Sequence, residues 1–299
     1  MTNKHAFTIN DHIILLKERG MIFKNEIFAK QCLKNISYYR LKGYWWDMQE
    51  NSINHTFKPN SYFEDVIERY NFDKKLRLIL FDAIEYIEIA LRTKMIYHLS
   101  LNYGGLWYLN SSLFDDSEIY ENTIKELEKE FLRSQEIFIK DQRNRYPNEN
   151  ADAWKILEVA SFGTLSKLYK NLKHQLPEKS LIAKEMGLNL NKELSSWLES
   201  IGYVRNIVAH HSRLLSRNMV KKPIEHLKNS SSNWFSINLL PVQTKKPFLI
   251  ISCMIYICNN IEPNNDIKSK LLKLFEESEN VPIYKLGFLN NWNKQPIWE

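Results

Sequence analysis

The chain has 299 residues and a mass of 35.7 kDa, and 44% of its residues are hydrophobic, 13% aromatic and 25% charged. This profile is typical of one large or two small globular domains and excludes an intrinsically disordered protein. The eight glycines form neither a GxGxxG nor a GxxxxGKS/T pattern, which excludes a P-loop enzyme and a classical dinucleotide-binding fold.

The three cysteines, Cys32, Cys253 and Cys258, are too few for a disulfide framework. They lack the CxxC and His-x3-His spacings of zinc sites, so we expect neither a metal nor another cofactor. The N-terminal residues lack the apolar core of a signal peptide. The most apolar run, Phe248–Cys258, is well short of the roughly 20 residues of a membrane span and is expected to be a buried helix. We therefore expect a cytoplasmic protein with no membrane partner.

The formal net charge of +6 is unevenly distributed along the chain. Residues 1–150 carry 21 Lys and Arg against 22 Asp and Glu, a net charge of −1, whereas residues 151–299 carry 20 against 13, a net charge of +7. Between Lys155 and Lys246 the balance is 15 against 6, a net charge of +9. Such an excess favours a polyanionic partner, with nucleic acid ahead of a membrane, and a solvated basic surface is the equal alternative.

Apolar residues recur mainly at helical spacing, which predicts a mainly α fold. A capped helix begins near Thr8 and ends at Gly20, and a second helix follows over 25–35. Further helices are expected over 61–101 (as one or two), 117–145, 152–161, 164–173, 178–187, 192–217, 248–261 and 265–278. The best strand candidate is Trp234–Leu240.

The segment Ile36–Trp46 is rich in Tyr and Trp and contains Arg40 and Lys42. Aromatic rings beside cations can form a platform on which nucleic-acid bases stack. The same composition also suits an aromatic corner of the core, which is the favoured alternative.

The long helix predicted over 61–101 has Glu85, Glu88 and Arg92 on the face opposite its apolar stripe. These residues either form a polar face that borders a functional site or belong to a structural Glu–Arg network.

The most informative segment is Ser195–Arg217, which reads SSWLESIGYVRNIVAHHSRLLSR. On a helical wheel an apolar stripe, into which His211 also falls, comprises Trp197, Ile201, Val204, Val208 and Leu215. The opposite face carries Asn206, His210, Arg213 and Arg217. We therefore expect His210 to be presented to a ligand and His211 to lie in the core or to support the site. Arg205 is about 80° from the centre of the stripe, so it does not share the face of His210 on an ideal helix.

Arg, Asn and His side chains together suit phosphate chemistry. The planar fork of Arg205 matches a phosphate, and His210 can exchange a proton with a ribose 2′-hydroxyl or a leaving 5′-oxygen because histidine titrates near neutrality. Asn206 can orient the ring or contact the phosphate. This set favours RNA cleavage without a metal, although an Arg and a His at this spacing are more often structural.

The segment Arg205–Leu214 resembles the RNxxAHHxRL segment of abortive-infection proteins of the AbiD/AbiF type. Over roughly residues 9–220, further segments resemble that family in the same order: Ser37–Tyr44 (SYYRLKGY), Ile87–Thr93 (IEIALRT), Gly105–Tyr108 (GLWY) and Trp154–Leu168 (WKILEVASFGTLSKL). The resemblance implies a HEPN-type helical domain, whose hallmark is Arg, four to six residues and then His, and whose active members are metal-independent RNases. It further implies phage defence by growth arrest and kinship with the HEPN domains of the type VI CRISPR RNase.

The resemblance also implies partners besides an RNA substrate. Two HEPN motifs commonly face each other, which implies a homodimer or higher homo-oligomer and would bring Arg205 and His210 together. Some relatives are held in check by a small structured RNA. HEPN toxins controlled by tyrosine adenylylation carry Tyr two residues after the His, where this chain has Ser212, so control by that route is not expected.

On this basis we divide the chain into an N-terminal helical and aromatic segment packed on the core (1–60), a HEPN-like helical core with the Arg205/His210 motif (61–220) and a C-terminal helical extension (221–299). Basic side chains around and after the motif are expected to contact the RNA backbone: Arg213, Arg217, Lys221, Lys222, Lys245 and Lys246. The two arginines could instead pair with Glu199, and the lysines could serve only solubility.

The expected function is that of an abortive-infection endoribonuclease, in which Arg205 braces the pentavalent phosphate and His210 is the general acid or base. One alternative is a non-catalytic RNA-binding regulator, or a toxin–antitoxin component bound to a small structured RNA. A protein–protein scaffold is the third possibility.

Overall fold

A computed structural model describes residues 5–51, 53–224, 234–236 and 238–299. Helices account for 65% of the structure, which confirms the prediction of a mainly α fold. The helices of the described residues are, in chain order, α1 (Ile9–Glu18), α2 (Glu26–Ile36), α3 (Tyr38–Trp45), α4 (Phe63–Tyr103), α5 (Ser117–Arg133), α6 (Ile137–Arg145), α7 (Ala153–Ile156), α8 (Phe162–Asn171), α9 (Pro177–Glu185), α10 (Asn191–Ala209), α11 (Pro241–Thr244), α12 (Pro247–Ile261) and α13 (Ile267–Glu276). Strands β1 (Gln49–Asn51) and β2 (Thr56–Phe57) pair antiparallel.

The first helix is capped as its sequence predicts. The Thr8 hydroxyl accepts the N–H of Asp11 at 3.2 Å, and the Asp11 carboxylate accepts the N–H of Thr8 at 2.8 Å. This reciprocal arrangement satisfies two donors that the first turn of a helix otherwise leaves unpaired.

The aromatic segment forms α3 and the turn that follows it. Four of its residues are buried in the core: Tyr38, Leu41, Tyr44 and Trp45. Tyr38 stands edge-on to Trp45, with ring centroids 5.2 Å apart. A packing corner therefore describes most of this segment, whereas Trp46 after the helix stays 55% exposed.

The centre of the fold is α4, a single continuous helix of 41 residues. Helices α3, α9, α10, α12 and α13 all pack against it. Helix α12 is buried from Pro247 to Cys258, as expected for a core helix. None of the helices in the described parts of the chain is long and apolar enough to cross a bilayer.

The prediction of a single charged helix over 117–145 is wrong in one respect. The structure has two helices in this range, α5 and α6, with a break between them. The backbone at Ser134 and Glu136 is extended, with ψ of 138° at each residue. The Arg143 side chain donates to the carbonyl oxygens of Leu132 and Ser134, which ties α6 back to the end of α5.

The strand predicted over Trp234–Leu240 is also wrong for the part that the structure describes, since none of those residues is in a strand; Ile237 lies outside the described residues. Trp234 is buried instead, and its ring stacks on Trp197 of α10 with centroids 5.1 Å apart. Its apolar side chain therefore covers a helix rather than one face of a sheet.

Candidate functional site

The helix that carries the motif ends earlier than its sequence predicts. Helix α10 ends at Ala209 rather than at residue 217, and His211 adopts a left-handed backbone with φ of 54°. The N–H of Ser212 then bonds to the carbonyl oxygen of Ile207 at 2.8 Å and closes the last turn. Residues after 209 are therefore off the helix, and the shared face predicted for His210, Arg213 and Arg217 is wrong.

A buried aspartate of α4 holds the segment that follows α10. The carboxylate of Asp73 is fully buried and accepts the N–H of Leu215 at 2.8 Å, the N–H of Leu214 at 3.1 Å and the hydroxyl of Tyr44 at 2.8 Å. It also forms an ion pair with Arg77 one turn further along α4. Burial and the neighbouring carboxylate raise the pKa of Tyr44, so its hydroxyl keeps the donated proton. This set fixes the turn after the motif helix against the centre of the fold.

Besides Tyr44, which donates to Asp73, α3 contributes a residue that contacts the turn following α10 directly. Arg40 donates a hydrogen bond to the carbonyl oxygen of His211 at 2.5 Å, and its guanidinium lies 5.8 Å from the ring centroid of Tyr70. Arg40 and Tyr44 both belong to the SYYRLKGY segment. That segment is thus joined physically to the motif, although 171 positions separate Arg40 from His211.

A cleft of about 770 Å³ lies between the start of α3, α4 and the end of α10. Apart from Tyr70, the titratable side chains that line the cleft are all basic: Arg40, Lys74, Arg77, Arg205 and His211. No carboxylate of the described residues lines it. Leu78 and Phe81 of α4 form an apolar wall and are 64% and 47% exposed. A cation-rich cleft with an exposed aromatic ring suits an anion that carries flat rings, as a single nucleic-acid strand does.

The cleft contains some of the predicted catalytic residues but not all of them. Arg205 lines it, whereas Asn206 and His210 are exposed and do not. Of the two expectations for His211, a place in the core is wrong, because α10 ends at Ala209 and the exposed His211 side chain reaches the cleft. Within one chain, the structure brings together Arg205 and His211 and leaves His210 outside the cleft.

The polar residues singled out on α4 do not join this site. Arg92 pairs with Glu88 at 2.8 Å and donates to the carbonyl oxygen of Ala160 at 3.1 Å. Glu85 lines a different pocket, beside the end of α12. The structural Glu–Arg network therefore describes Glu88 and Arg92.

The basic residues near and after the motif are spread over several environments. Glu199 pairs with Lys170 at 2.8 Å and with Lys221 at 2.5 Å, so the alternative in which it pairs with Arg213 or Arg217 is wrong. The side chain of Arg217 donates to the carbonyl oxygen of Arg213 at 2.7 Å. Lys222 and Lys245 are exposed, whereas Arg213 and Lys246 line a second pocket.

The sequence reasoning missed Asp73, Lys74 and Phe81. Asp73 had a usable signal, because it lies between apolar positions of α4 and has Arg77 four residues later on the same face. Lys74 and Phe81 offered none, since an exposed lysine or phenylalanine on a long helix is ordinary.

The fold and the site define a mainly α protein with a basic cleft at the end of its motif helix. The model of a family described as Abi-like protein matches residues 31–216, and the chain belongs to this family. The matched region includes every residue that lines the cleft. Membership assigns the chain to abortive infection, a form of phage defence. No curated protein and no solved structure matches the chain significantly.

Proposed function

We propose that the chain is a metal-independent, HEPN-type endoribonuclease that acts on RNA in the cytoplasm during abortive infection. The observation that carries the proposal is the cleft at the end of α10, where Arg205 and His211 of the motif meet Arg40 and Lys74 without a described carboxylate. RNA matches this site because its phosphates are attracted to the cations, and its 2′-hydroxyl is a nucleophile within the substrate itself.

The proposed reaction is an internal transesterification. The 2′-oxygen attacks the adjacent phosphorus as the bond from phosphorus to the 5′-oxygen breaks, which leaves a 2′,3′-cyclic phosphate and a 5′-hydroxyl. Arg205 binds the non-bridging oxygens and stabilises the pentavalent phosphate. His210 takes the proton from the 2′-hydroxyl or gives one to the 5′-oxygen, a contribution of about 100- to 10,000-fold. Asn206, which is exposed one turn before His210, orients the ring or the phosphate.

This reaction needs more than one copy of the chain. Arg205 lines the cleft and His210 does not, so a single chain does not direct both side chains into it. We propose a homodimer or higher homo-oligomer in which Arg205 of one copy and His210 of another act on the same phosphate. A symmetric pairing about the ends of the two α10 helices would supply two such sites.

The test compares the wild type with Arg205→Ala and His210→Ala on total RNA in the presence of EDTA. His174→Ala is the matched control, because His174 is also exposed and does not line the cleft. We expect cleavage by the wild type and the control and its loss in the other two variants. Equal cleavage by all four proteins, or a wild type that EDTA inactivates, contradicts the metal-independent mechanism.

The second candidate function is a non-catalytic RNA-binding regulator, or a toxin–antitoxin component bound to a small structured RNA. It is favoured by the position of His210 outside the cleft, since binding needs only the cations. RNA that co-purifies with the protein and gains no new ends on prolonged incubation would support this function. If the protein is instead a scaffold that works through protein contacts, the His210→Ala variant should still cause growth arrest.

A further inference from the structure

A second basic pocket, of about 420 Å³, lies further along the turn that follows α10. It is formed by three separate parts of the chain: the residues just after α3, the turn itself and the C-terminal helical region. The residues that line it and enter the argument are Trp46, Asp47, Arg213, Lys246, Tyr284 and Lys285.

Positive charge in this pocket exceeds negative charge. Asp47 is the one carboxylate among the described residues that line it, and it already pairs with Arg69 at 3.1 Å and with Lys285. Neither Arg213 nor Lys246 has a carboxylate partner in the described part of the chain. Burial, followed by the nearby Arg213 and Lys285, lowers the pKa of Lys246, as expected for a cation without a counter-ion.

The two unpaired cations are held in place by the backbone around them. The Lys246 ammonium donates to the carbonyl oxygen of Ser216 at 3.2 Å. The Arg213 side chain lies against Gly43 in the middle of α3, where a Cβ would come within 3.1 Å of its Nε. Glycine destabilises a helix relative to alanine. Gly43 nevertheless suits α3 here, because it lacks the Cβ that would crowd the Arg213 side chain.

Two aromatic rings border the same pocket. Trp46 is 55% exposed and Tyr284 is 58% exposed, so neither ring is part of the core. Exposed rings beside cations are the elements with which proteins bind single strands, because the rings stack on bases while the cations contact phosphates.

We propose that this pocket binds one nucleotide of an RNA strand, with its phosphate on Arg213 and Lys246 and its base against Trp46 or Tyr284. The proposal rests on the proposed function in taking RNA as the ligand. His211 in the cleft and Arg213 in the pocket are two residues apart on the same turn, so their Cα atoms are at most about 7 Å apart, a distance that about two stacked nucleotides cover. One strand can therefore enter both sites.

The residues that line the pocket come partly from the region that the family model matches and partly from the region after it. Lys246, Tyr284 and Lys285 lie outside the region that the family model matches, residues 31–216, whereas Trp46 and Arg213 lie within it. The C-terminal region thereby adds a strand-binding surface beside the motif.

The test measures binding of a short fluorescein-labelled single-stranded RNA by anisotropy over a range of salt concentrations. All proteins carry His210→Ala and are kept in EDTA, so that the strand is not cut. The test variant is Arg213→Gln with Lys246→Gln, and the matched control is Lys125→Gln with Lys129→Gln, which removes two exposed cations of α5. Thermal melting checks the fold of each protein, and Lys246→Gln alone serves if the double variant fails to fold.

The slope of log affinity against log salt is negative, and each lost phosphate contact reduces its magnitude by about 0.7 for a single strand. Because Arg213 and Lys246 hold the same phosphate, we expect a decrease of about 0.7 in the double variant, a smaller decrease in Lys246→Gln and none in the control. Trp46→Leu and Tyr284→Leu are measured in parallel, and the one that removes the stacking ring should weaken binding at least about 5-fold without changing the slope, because it removes no charge.

A double variant with the affinity and slope of the control overturns the proposal. Displacement of the strand by adenosine monophosphate, at concentrations near the Kd of the strand, also overturns the proposal. Such displacement would identify a site for free nucleotides instead of a strand. RNA cleavage by the unmodified chain is measured separately. If the unmodified chain cleaves RNA and the pocket variants bind the strand as the control does, only the proposed role of the pocket is contradicted. If the salt slopes change as expected and no RNA is cleaved, only the proposed ribonuclease activity is contradicted.

Discussion

The carboxylate of Asp73 accepts the backbone N–H of Leu215 at 2.8 Å, although the two residues are 142 positions apart in the chain. This bond ties the central helix α4 to the turn that follows the motif helix. The turn begins at His211, whose left-handed backbone is unfavourable for a residue with a side chain and persists because the surroundings fix it. The position of the His211 side chain at the cleft thus depends on a carboxylate in the core.

Replacing that carboxylate should strongly destabilise the fold. We expect Asp73→Asn to lower the free energy of unfolding by about 3–5 kcal/mol, because it leaves Arg77 buried without its counter-charge. Tyr44→Phe removes one hydrogen bond to the same carboxylate and should cost about 1.5–3 kcal/mol. Urea unfolding of the three proteins measures both values. An Asp73→Asn variant as stable as the wild type would show that the network does not hold the turn.

The proposed sharing of a site between copies predicts complementation. Arg205→Ala and His210→Ala proteins should each be inactive, yet their equimolar mixture should recover about a quarter of wild-type cleavage after subunits exchange. Half of the dimers are then mixed, and each mixed dimer contains one intact pair out of two. RNA cleavage by the mixture, with native mass spectrometry to count mixed dimers, measures this. Mixed dimers without activity would show that Arg and His must come from the same copy.

A buried lysine predicts the pH dependence of stability. Lys179 of α9 is 4% exposed, and its ammonium donates to the carbonyl oxygens of Lys170 at 2.9 Å and Leu172 at 2.5 Å. Burial lowers its pKa to about 8, and Asp115 opposes this shift. Since the unfolded lysine titrates near 10.5, the unfolded state binds more protons between about pH 8 and 10.5. The stability contributed by this group therefore rises with pH in that window, by at most about 1.4 kcal/mol per pH unit.

The comparison with Lys179→Met isolates this effect from other titrating groups. Burial raises the pKa of Cys258 to about 12, for example, and this lowers the stability of both proteins alike as the pH rises above about 9. We expect the stability of the wild type relative to Lys179→Met to increase from pH 8 to pH 9.5 in urea unfolding. A difference that stays constant over this range would mean that Lys179 titrates normally in the folded chain.

Local patterns predicted what depends on local physics. The apolar stripe of α10 is confirmed at Trp197, Ile201, Val204 and Val208, all of which are buried. The cap at Thr8 and most helix positions were predictable in the same way, because periodicity and capping act within a few residues.

The end of α10 was not predictable from the same patterns. The residues after Ala209 keep a helical apolar period, and Leu215 is buried as its place in the stripe suggests. The helix nevertheless stops, because Asp73 binds the amide of Leu215 and Arg40 binds the carbonyl oxygen of His211. Partners so distant in the chain leave no local signal, and so the sequence patterns did not predict that His211 lines the cleft while His210 does not.

The most direct test of the central claim is cleavage of a 5′-labelled RNA and of its fully 2′-O-methylated counterpart, both in EDTA. The account predicts that the wild type cuts the RNA, leaves 2′,3′-cyclic phosphate ends and does not cut the methylated strand, because the 2′-hydroxyl is the nucleophile. Cleavage of both strands, or cleavage of RNA that appears only when a divalent metal is added, would contradict it.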